Sequence, residues 1–187
     1  MKRLLDISGA VALLSVSLPL WVCIILAIRV STRGPAFFSQ QRVGKGGKEF
    51  RLFKFRTLLP GSENSTRPVL PGDARVTSVG SFLRSTHLDE LPQLYNVLRG
   101  DMSLVGPRPL TRLSMSAHAG SPYYSYRLSV RPGLTGLAQI KGRMWFVAHG
   151  LENVFRLDAF YIKKSCLLFD LYILLKTAGM LWRRRGI

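Results

Sequence analysis

The sequence predicts a single α+β domain fixed to one face of a membrane. The expected form is a monotopic membrane protein with an N-terminal re-entrant (kinked) membrane helix, interfacial amphipathic helices and a small β element. Three observations predict it. An uncharged run of 22 residues, Ile7 to Ile28, is interrupted by Pro19. An alternating aromatic segment, Glu49 to Thr57, lies among glycine- and proline-rich turns. A formal net charge of +17 coexists with 47% apolar residues and a mean hydropathy of +0.15. Disordered chains of high charge are poor in apolar residues, so disorder is excluded. At 187 residues the chain is long enough for one real core. The expected organisation is one domain over 1–187: the re-entrant helix at 1–30, a cytoplasmic part carrying the chemistry at 31–164, and an interfacial helix with a basic tail at 165–187.

The first element follows from length, charge and proline. A run of 22 uncharged residues exceeds the roughly 18 that mark a membrane helix. It is too long for the apolar region of a signal peptide, and Arg29 to Arg33 offer no small-residue cleavage site. Lys2 and Arg3 precede the run, and Arg29 and Arg33 follow it, so both ends favour the cytoplasm. Pro19 lacks an N–H and clashes with the carbonyl of Ser15, which predicts a break at Ser17-Leu18-Pro19. Hydroxyls of Ser15 and Ser17 are placed to satisfy backbone groups freed there. Half-helices of about 12 residues, roughly 18 Å each, would reach the bilayer midplane and turn back; a proline-kinked spanning helix is the alternative reading.

Val43 to Lys48 reads as a turn, and Glu49 to Thr57 as a strand with basic Arg51, Lys54 and Arg56. Pro60 to Asp73 reads as a loop. Leu91, Leu94, Tyr95 and Leu98 recur at helical spacing, with Gly100 as the stop. Pro92 is tolerated only in a first turn, so this helix is expected to start at Asp89 to Leu91, placing Asp89 and Glu90 at its N-terminus. Residues 165–182 form an apolar helix. Lys163, Asp170, Thr177 and Arg184 make a polar stripe on one side, the pattern of a helix lying in the membrane interface, with a buried core helix carrying a basic tail as the alternative.

Charge points to where the chemistry lies. Residues 1–60 hold ten Lys and Arg against two acids, and residues 111–187 hold twelve against three. The middle, 61–110, holds five of each, half of all the carboxylates. There Asp89 and Glu90 are adjacent, with Arg84 before them. Val105-Gly106-Pro107-Arg108-Pro109 follows, a rigid turn presenting one arginine. Arg131 and Arg143 lie on further turns. Guanidinium forks suit phosphate oxygens. A carboxylate pair among them suggests a phosphoryl substrate, a carboxylate nucleophile and a divalent metal. Two adjacent acids at a helix start also serve as ordinary dipole compensation, so the pair alone does not decide. Two cysteines, Cys23 and Cys166, exclude a disulfide scaffold and a cysteine zinc site. His87 and His118 do not have metal-site spacing and read as structural or surface residues. There is no phosphate-binding P-loop and no dinucleotide fingerprint.

The run Leu88-Asp89-Glu90-Leu91-Pro92-Gln93-Leu94 through Gly100-Asp101-Met102-Ser103-Leu104-Val105-Gly106-Pro107-Arg108-Pro109 resembles the signature of the bacterial monotopic phosphoglycosyl transferases. The resemblance extends to Lys2-Arg3-Leu4-Leu5-Asp6, Lys54-Phe55-Arg56-Thr57, Arg131-Pro132-Gly133-Leu134-Thr135-Gly136, Gly142-Arg143, Asp158 with Tyr161, and Asp170-Leu171. It covers nearly the whole chain, whose length is about that of the family's minimal catalytic unit. It implies transfer of a sugar-1-phosphate from a nucleotide diphosphate sugar, usually a UDP-sugar, to polyprenol phosphate, releasing UMP. It implies a ping-pong path through a phosphosugar on an aspartate. The nucleophile falls on Asp89, the Mg²⁺-binding glutamate on Glu90 and the substrate arginine on Arg108. Further phosphate or nucleotide contacts are expected from Arg84, Lys54, Arg56 and Arg143. The family's Ser-Pro helix break falls near Ser17 and Pro19, here separated by Leu18. His87 stands where relatives often have serine, and Leu137 where they often have tryptophan. The implied place is the cytoplasmic face of a bacterial inner membrane, among its lipids, with no nucleic-acid partner. The rivals are a basic membrane-anchored protein that binds nucleic acid or lipid without catalysis, and a membrane phosphatase using the same aspartyl chemistry. The first explains the +17 charge but not the clustered acids.

Overall fold

The computed structural model describes residues 1–62, 69–70 and 72–182. The expected mixture of helix and small sheets is present. Helix α1 (Lys2–Ser31) leads to an antiparallel hairpin of β1 (Phe37–Val43) and β2 (Glu49–Phe55). Then come α2 (Ser78–Thr86), a 3-10 turn at Leu88–Glu90, α3 (Gln93–Arg99) and β3 (Ser103–Val105). Short helices α4 (Arg112–Ser116) and α5 (Tyr124–Ser129) precede β4 (Gly133–Thr135), which pairs parallel with β3. Long helices α6 (Arg143–Lys164) and α7 (Leu167–Trp182) close the chain.

α1 runs through Pro19 as one continuous helix of 30 residues and is not divided into two half-helices. Proline removes a single N–H from the ladder, and a long helix tolerates one missing rung when its neighbours hold it. The Ser17 hydroxyl donates to the Leu14 carbonyl at 3.2 Å, one turn back. Arg3, Asp6, Ala10, Leu14, Ser17, Trp21, Ile24 and Ile28 are wholly or partly covered, a stripe at helical spacing along the whole element. The opposite side exposes Val11, Leu13, Val16, Leu18, Val22 and Leu26.

Both ends of α1 dock on the same body. At the start, Lys2 Nζ donates to the carbonyl of Val105 and to Asp170, and Arg3 donates to the carbonyls of Val97 and Leu98 at the end of α3. The buried Asp6 carboxylate accepts from Ser103 Oγ at 2.8 Å and Leu104 N at 2.9 Å. At the far end, Ile24 and Ile28 pack with Ala36, Phe55 and Leu83. Lys2 and Arg3, expected as topological flanks, therefore also tie the helix to the domain.

Of the expected polar stripe, Asp170 and Thr177 of α7 face the domain, whereas Lys163 stands exposed in α6. Asp170 is 2% exposed; its carboxylate accepts from Tyr161 OH at 2.6 Å and pairs with Lys2. Thr177 shares a hydrogen bond with Thr135 at 2.7 Å. Leu168, Leu171, Tyr172 and Leu175 are exposed instead. The reason is pairing: each buried polar group of this stripe has a partner across the domain, so the outer surface is left to apolar side chains. The basic tail at 183–187, with Arg184 of the stripe, and residues 63–68 and 71 of the expected loop lie outside the described residues.

Two buried clusters make the core. One joins Ala10, Leu52, Leu94, Met102, Leu104 and Ile173; the other joins Ile24, Ile28, Phe55 and Leu83. Leu91 packs against both. The turn that carries Asp89 and Glu90 is thus held at the seam between them.

Candidate active site

α2 begins with Thr77, whose hydroxyl oxygen accepts from Gly80 N at 2.8 Å. It ends at His87, the one non-glycine with positive φ among the described residues, at 57°. This left-handed residue reverses the chain into the 3-10 turn Leu88–Glu90. α3 starts only at Gln93, after Pro92, so the acids occupy the turn leading into the helix and not its first turn proper. At the other end Gly100 takes φ 92°, closing α3 as the sequence requires.

β2 brings in Lys54. Its outer edge is closed by Asn96 of α3, which is fully buried. The Asn96 amide oxygen accepts from Phe53 N at 3.1 Å, and its nitrogen donates to Arg51 O at 2.7 Å. The Phe53 N–H beside Lys54 and the Arg51 carbonyl are therefore satisfied, and the strand is fixed to the helix that follows the acids.

The Gly-Pro-Arg-Pro turn is packed backbone to backbone on Arg131 to Gly136. Gly106 N donates to Thr135 O, and Gly133 N to Pro107 O, both at 2.8 Å. A Cβ on Gly133 would lie 2.0 Å from Gly106 N, and one on Gly136 2.1 Å from Gly106 O, so these motif glycines are fixed by close approach. From behind, buried Arg127 of α5 pairs with Asp158 of α6 and donates to the Arg108 carbonyl. From the hairpin, Val43 N donates to Leu110 O at 2.9 Å, and Arg42 Nη1 to Pro109 O at 3.3 Å. Arg108 stands on a turn held from three sides.

These elements converge on the carboxylate pair. Glu90 Oε1 accepts from Lys54 Nζ at 2.5 Å and from Arg108 Nη2 at 3.0 Å. Lys54 Nζ lies 3.7 Å from Asp89 Oδ2, an ion pair without a hydrogen bond. Burial alone would raise the Glu90 carboxyl, but Lys54 and Arg108 together hold it well below the usual carboxylate range. Asp89 goes the other way: burial raises it, and the adjacent Glu90 charge adds to the rise, against Lys54, Arg84 and His87. Two neighbouring acids are thus driven apart, one locked as an anion by two cations and one buried with a single loose partner. Divergent pairs of this kind mark a division of roles.

A family model for "Bacterial sugar transferase" matches residues 1–184. The chain belongs to the bacterial sugar transferase family. It is 43% identical over 192 residues to the UDP-glucose:undecaprenyl-phosphate glucose-1-phosphate transferase of Caulobacter vibrioides, covering 96% of this chain and 69% of that one. It is 40% identical over 178 residues to the UDP-N-acetylgalactosamine-undecaprenyl-phosphate N-acetylgalactosaminephosphotransferase of Aeromonas hydrophila, covering 94% of this chain and 42% of that one. An uncharacterised sugar transferase of Bacillus subtilis is 39% identical over 187 residues, covering 100% of this chain and 90% of that one. The chain spans about two fifths of the length of several curated relatives it matches.

Within this bacterial sugar transferase, the structure brings Asp89, Glu90, Lys54 and Arg108 together. Arg84 lies close enough to act on Asp89 and reaches Thr57 Oγ1 at 3.5 Å. Arg56 is placed elsewhere. It lies just past β2, 3% exposed, and its guanidinium donates to Thr32 O, Thr32 Oγ1 and Arg33 O, the last carbonyls around the end of α1. A cation at a helix C-terminus is a structural use, so the expected substrate contact from Arg56 is corrected. Arg143 opens α6, and its side chain lies outside the described ones.

Sequence reasoning missed Arg42, Asn96 and Arg127. Arg42 stands on an otherwise unremarked strand. Asn96 and Arg127 act through backbone groups distant in sequence, and no local pattern announces that.

Among the described residues no group of three or more His, Cys, Asp or Glu could enclose a metal. Mg²⁺ typically takes one or two carboxylates and completes its shell with water and substrate phosphates. Glu90 fits that pattern as a single carboxylate beside substrate phosphates. Glu90 uses only Oε1 for its two cations, leaving Oε2 as a hard donor beside Asp89.

Proposed function

We propose that the chain transfers a sugar-1-phosphate from a nucleotide diphosphate sugar, of the UDP type, to polyprenol phosphate, giving polyprenol-diphosphate sugar and UMP. The observation that carries this reading is the split carboxylate pair. Asp89 is buried beside Glu90, receives no hydrogen bond among the described residues and meets one lysine at 3.7 Å. A carboxylate so little engaged keeps its lone pairs for phosphorus. In the first step an Asp89 oxygen attacks the β-phosphorus, the bond from phosphorus to the bridging oxygen breaks, and UMP leaves with that electron pair. In the second, an oxygen of polyprenol phosphate attacks the same phosphorus and Asp89 departs as carboxylate. Lys54 and Arg108, fixed by Glu90, offer fixed N–H donors to phosphate oxygens as charge shifts onto them. Glu90 would hold Mg²⁺, which when bound neutralises phosphate charge. The relatives named for undecaprenyl phosphate and UDP-sugars support this choice of substrates.

The placement proposed is the cytoplasmic face of a bacterial inner membrane. α1 is about 45 Å long at 1.5 Å per residue, against about 30 Å of hydrocarbon. A spanning helix would carry one end to the far side, yet both ends of α1 meet the same domain. Its outer face and that of α7 are apolar, while Asp6 and Asp170 point inward. Outward apolar and inward polar side chains suit a lipid surround.

The test is to supply UDP-sugars without acceptor. Wild type should release UMP in proportion to enzyme and retain a labile phosphosugar on Asp89. Release only after polyprenol phosphate is added would refute the covalent scheme. Free sugar phosphate without lipid product would favour the phosphatase reading.

A further inference from the structure

Arg42 is the cation at this site that the carboxylate pair does not account for. In the β1–β2 register Phe38 faces Lys54 and Arg42 faces Phe50, so Gln40, Arg42 and Lys54 lie on one face of the hairpin. The Arg42 guanidinium makes two hydrogen bonds, to Pro109 O at 3.3 Å and Gln40 Oε1 at 2.6 Å, both neutral acceptors. Its Nε is buried and unpartnered. Of five N–H donors, three remain unused among the described residues. No carboxylate there pairs with it, since the nearby Glu90 is held by Lys54 and Arg108. Burial and the Arg108 charge lower Arg42 to about 10, against the pull of Glu90, so it is still a cation at neutral pH.

The charges do not balance without a ligand. Lys54, Arg84, Arg108 and Arg42 face Asp89 and Glu90, a surplus of two positive charges. A nucleotide diphosphate sugar brings two negative charges on its bridged phosphates. The contacts also give an order: Lys54 meets both acids, Arg108 meets Glu90, and Arg42 lies beyond, bonded to the residue after Arg108. Both acids act on Arg108, whereas Arg42 feels Glu90 and Arg108 but not Asp89, so Arg42 sits past Arg108 as counted from Asp89.

We propose that Arg42 is a further substrate-binding residue that holds the nucleotide's departing phosphate. The inference rests on the transferase reading above. When the bond from the β-phosphorus to the bridging oxygen breaks, that oxygen leaves on the nucleotide phosphate, which gains one negative charge. A guanidinium with free donors and no committed carboxylate binds that product more strongly than the substrate, and so assists departure.

The experiment is isotope exchange between labelled UMP and the UDP-sugar with no polyprenol phosphate present, with UMP inhibition measured alongside. Arg42→Gln should slow exchange and weaken UMP inhibition by about tenfold or more. Its KM for polyprenol phosphate in the full reaction should stay within about twofold of wild type. Arg42→Lys should recover only part, because a point charge does not replace the fork. If Arg42→Gln fails to fold, Arg42→Lys decides: weakened UMP inhibition supports the assignment, and unchanged inhibition overturns it. A shift confined to the KM for polyprenol phosphate also overturns it, since the phosphate held would be the lipid's. A wild type that exchanges no label refutes the reading of the site and this proposal together. Normal wild-type exchange with unchanged UMP inhibition in Arg42→Gln refutes Arg42 alone.

Discussion

Glu90→Gln is the substitution that most directly separates charge from shape at this site. The amide keeps the size of the side chain and one acceptor oxygen but removes the anion between Lys54 and Arg108. Glu90 is 13% exposed and Lys54 19%, whereas Arg108 is 44% exposed, so the Lys54 bond at 2.5 Å carries most of the effect and the Arg108 bond at 3.0 Å is screened. Bonds to a charged partner contribute about 1.5–3 kcal/mol and neutral ones about 1 kcal/mol. Losing the charged character of one buried bond and part of a second costs about 1–3 kcal/mol. For a domain of this size that lowers the melting temperature by roughly 2–4 °C per kcal/mol, or about 2–12 °C. The pH dependence has a definite sign. Glu90 is held below its ordinary value of 4.5, so its contribution is full above that value and is lost as pH falls through the depressed range. The gap between wild type and Glu90→Gln should therefore be widest at neutral pH and shrink below about pH 4.5. Activity offers a second readout. The Glu90 charge adds to the upward shift of Asp89, so removing it should move the acid limb of residual UMP release to lower pH. The Mg²⁺ titration should also weaken, because an amide is a poorer ligand for a hard cation. Melting curves in detergent across pH, with Mg²⁺ titrations of UMP release, test all of this. Equal melting at pH 7 together with an unchanged Mg²⁺ response would refute the assigned role of Glu90.

Three further outcomes follow from the same geometry. Asp89→Asn should abolish UMP release without lowering the melting temperature, and wild-type release should fall on acidification at a higher pH than an ordinary carboxylate requires, because burial raises Asp89; a variant that turns over removes the nucleophile. Gly133→Ala should cut activity and stability together, since its Cβ would meet Gly106 N at 2.0 Å and push the Arg108 turn outward; a variant active at the wild-type rate would show that this packing does not set the site. A cysteine at Leu4, which is 73% exposed, in a chain without Cys23 and Cys166, should react with an impermeant reagent only after the membrane is opened, whereas labelling in intact cells would make α1 a spanning helix.

Much of the candidate site was legible because its residues lie close together in sequence. Asp89 and Glu90 are adjacent, and Arg108 is confined by two prolines. The glycines of both turns mark the close approach that Gly106 and Gly133 make. α3 starts only at Gln93 because Pro92 supplies no N–H, and the residues before it are tied by tighter bonds such as Leu91 N to Leu88 O and Leu94 N to Leu91 O. Arg56 and Arg42 show the limit more sharply. Both are basic residues near the ends of strands, and nothing local separates them. One caps α1 at Thr32 and Arg33, and the other faces the Pro-Arg-Pro turn. The difference lies in which distant carbonyl each strand end meets. The seven-residue polar stripe of α7 was visible for the same reason that its direction was not: periodicity finds a face but not what lies against it. Lys2, Tyr161 and Thr135 are what lie against it.

Those three partners also link the anchor to the chemistry. Lys2 on α1 reaches the Val105 carbonyl, one residue before Gly106, and in the same contact pairs with Asp170 of α7. Thr177 of α7 meets Thr135, which accepts the backbone bond from Gly106. The turn bearing Arg108 is therefore hydrogen-bonded to both apolar-faced helices through a few atoms. The turn bearing Asp89 is fixed by Leu91 between the clusters that hold the two ends of α1. Whatever depth α1 takes in lipid is passed to both halves of the site with little freedom between them. For the proposed reaction, which joins a water-soluble nucleotide sugar to the phosphate of a lipid, that rigidity would have a chemical use. Asp89, the proposed nucleophile, would be held at a constant height relative to the membrane surface, so both phosphates would meet it without a separate docking motion.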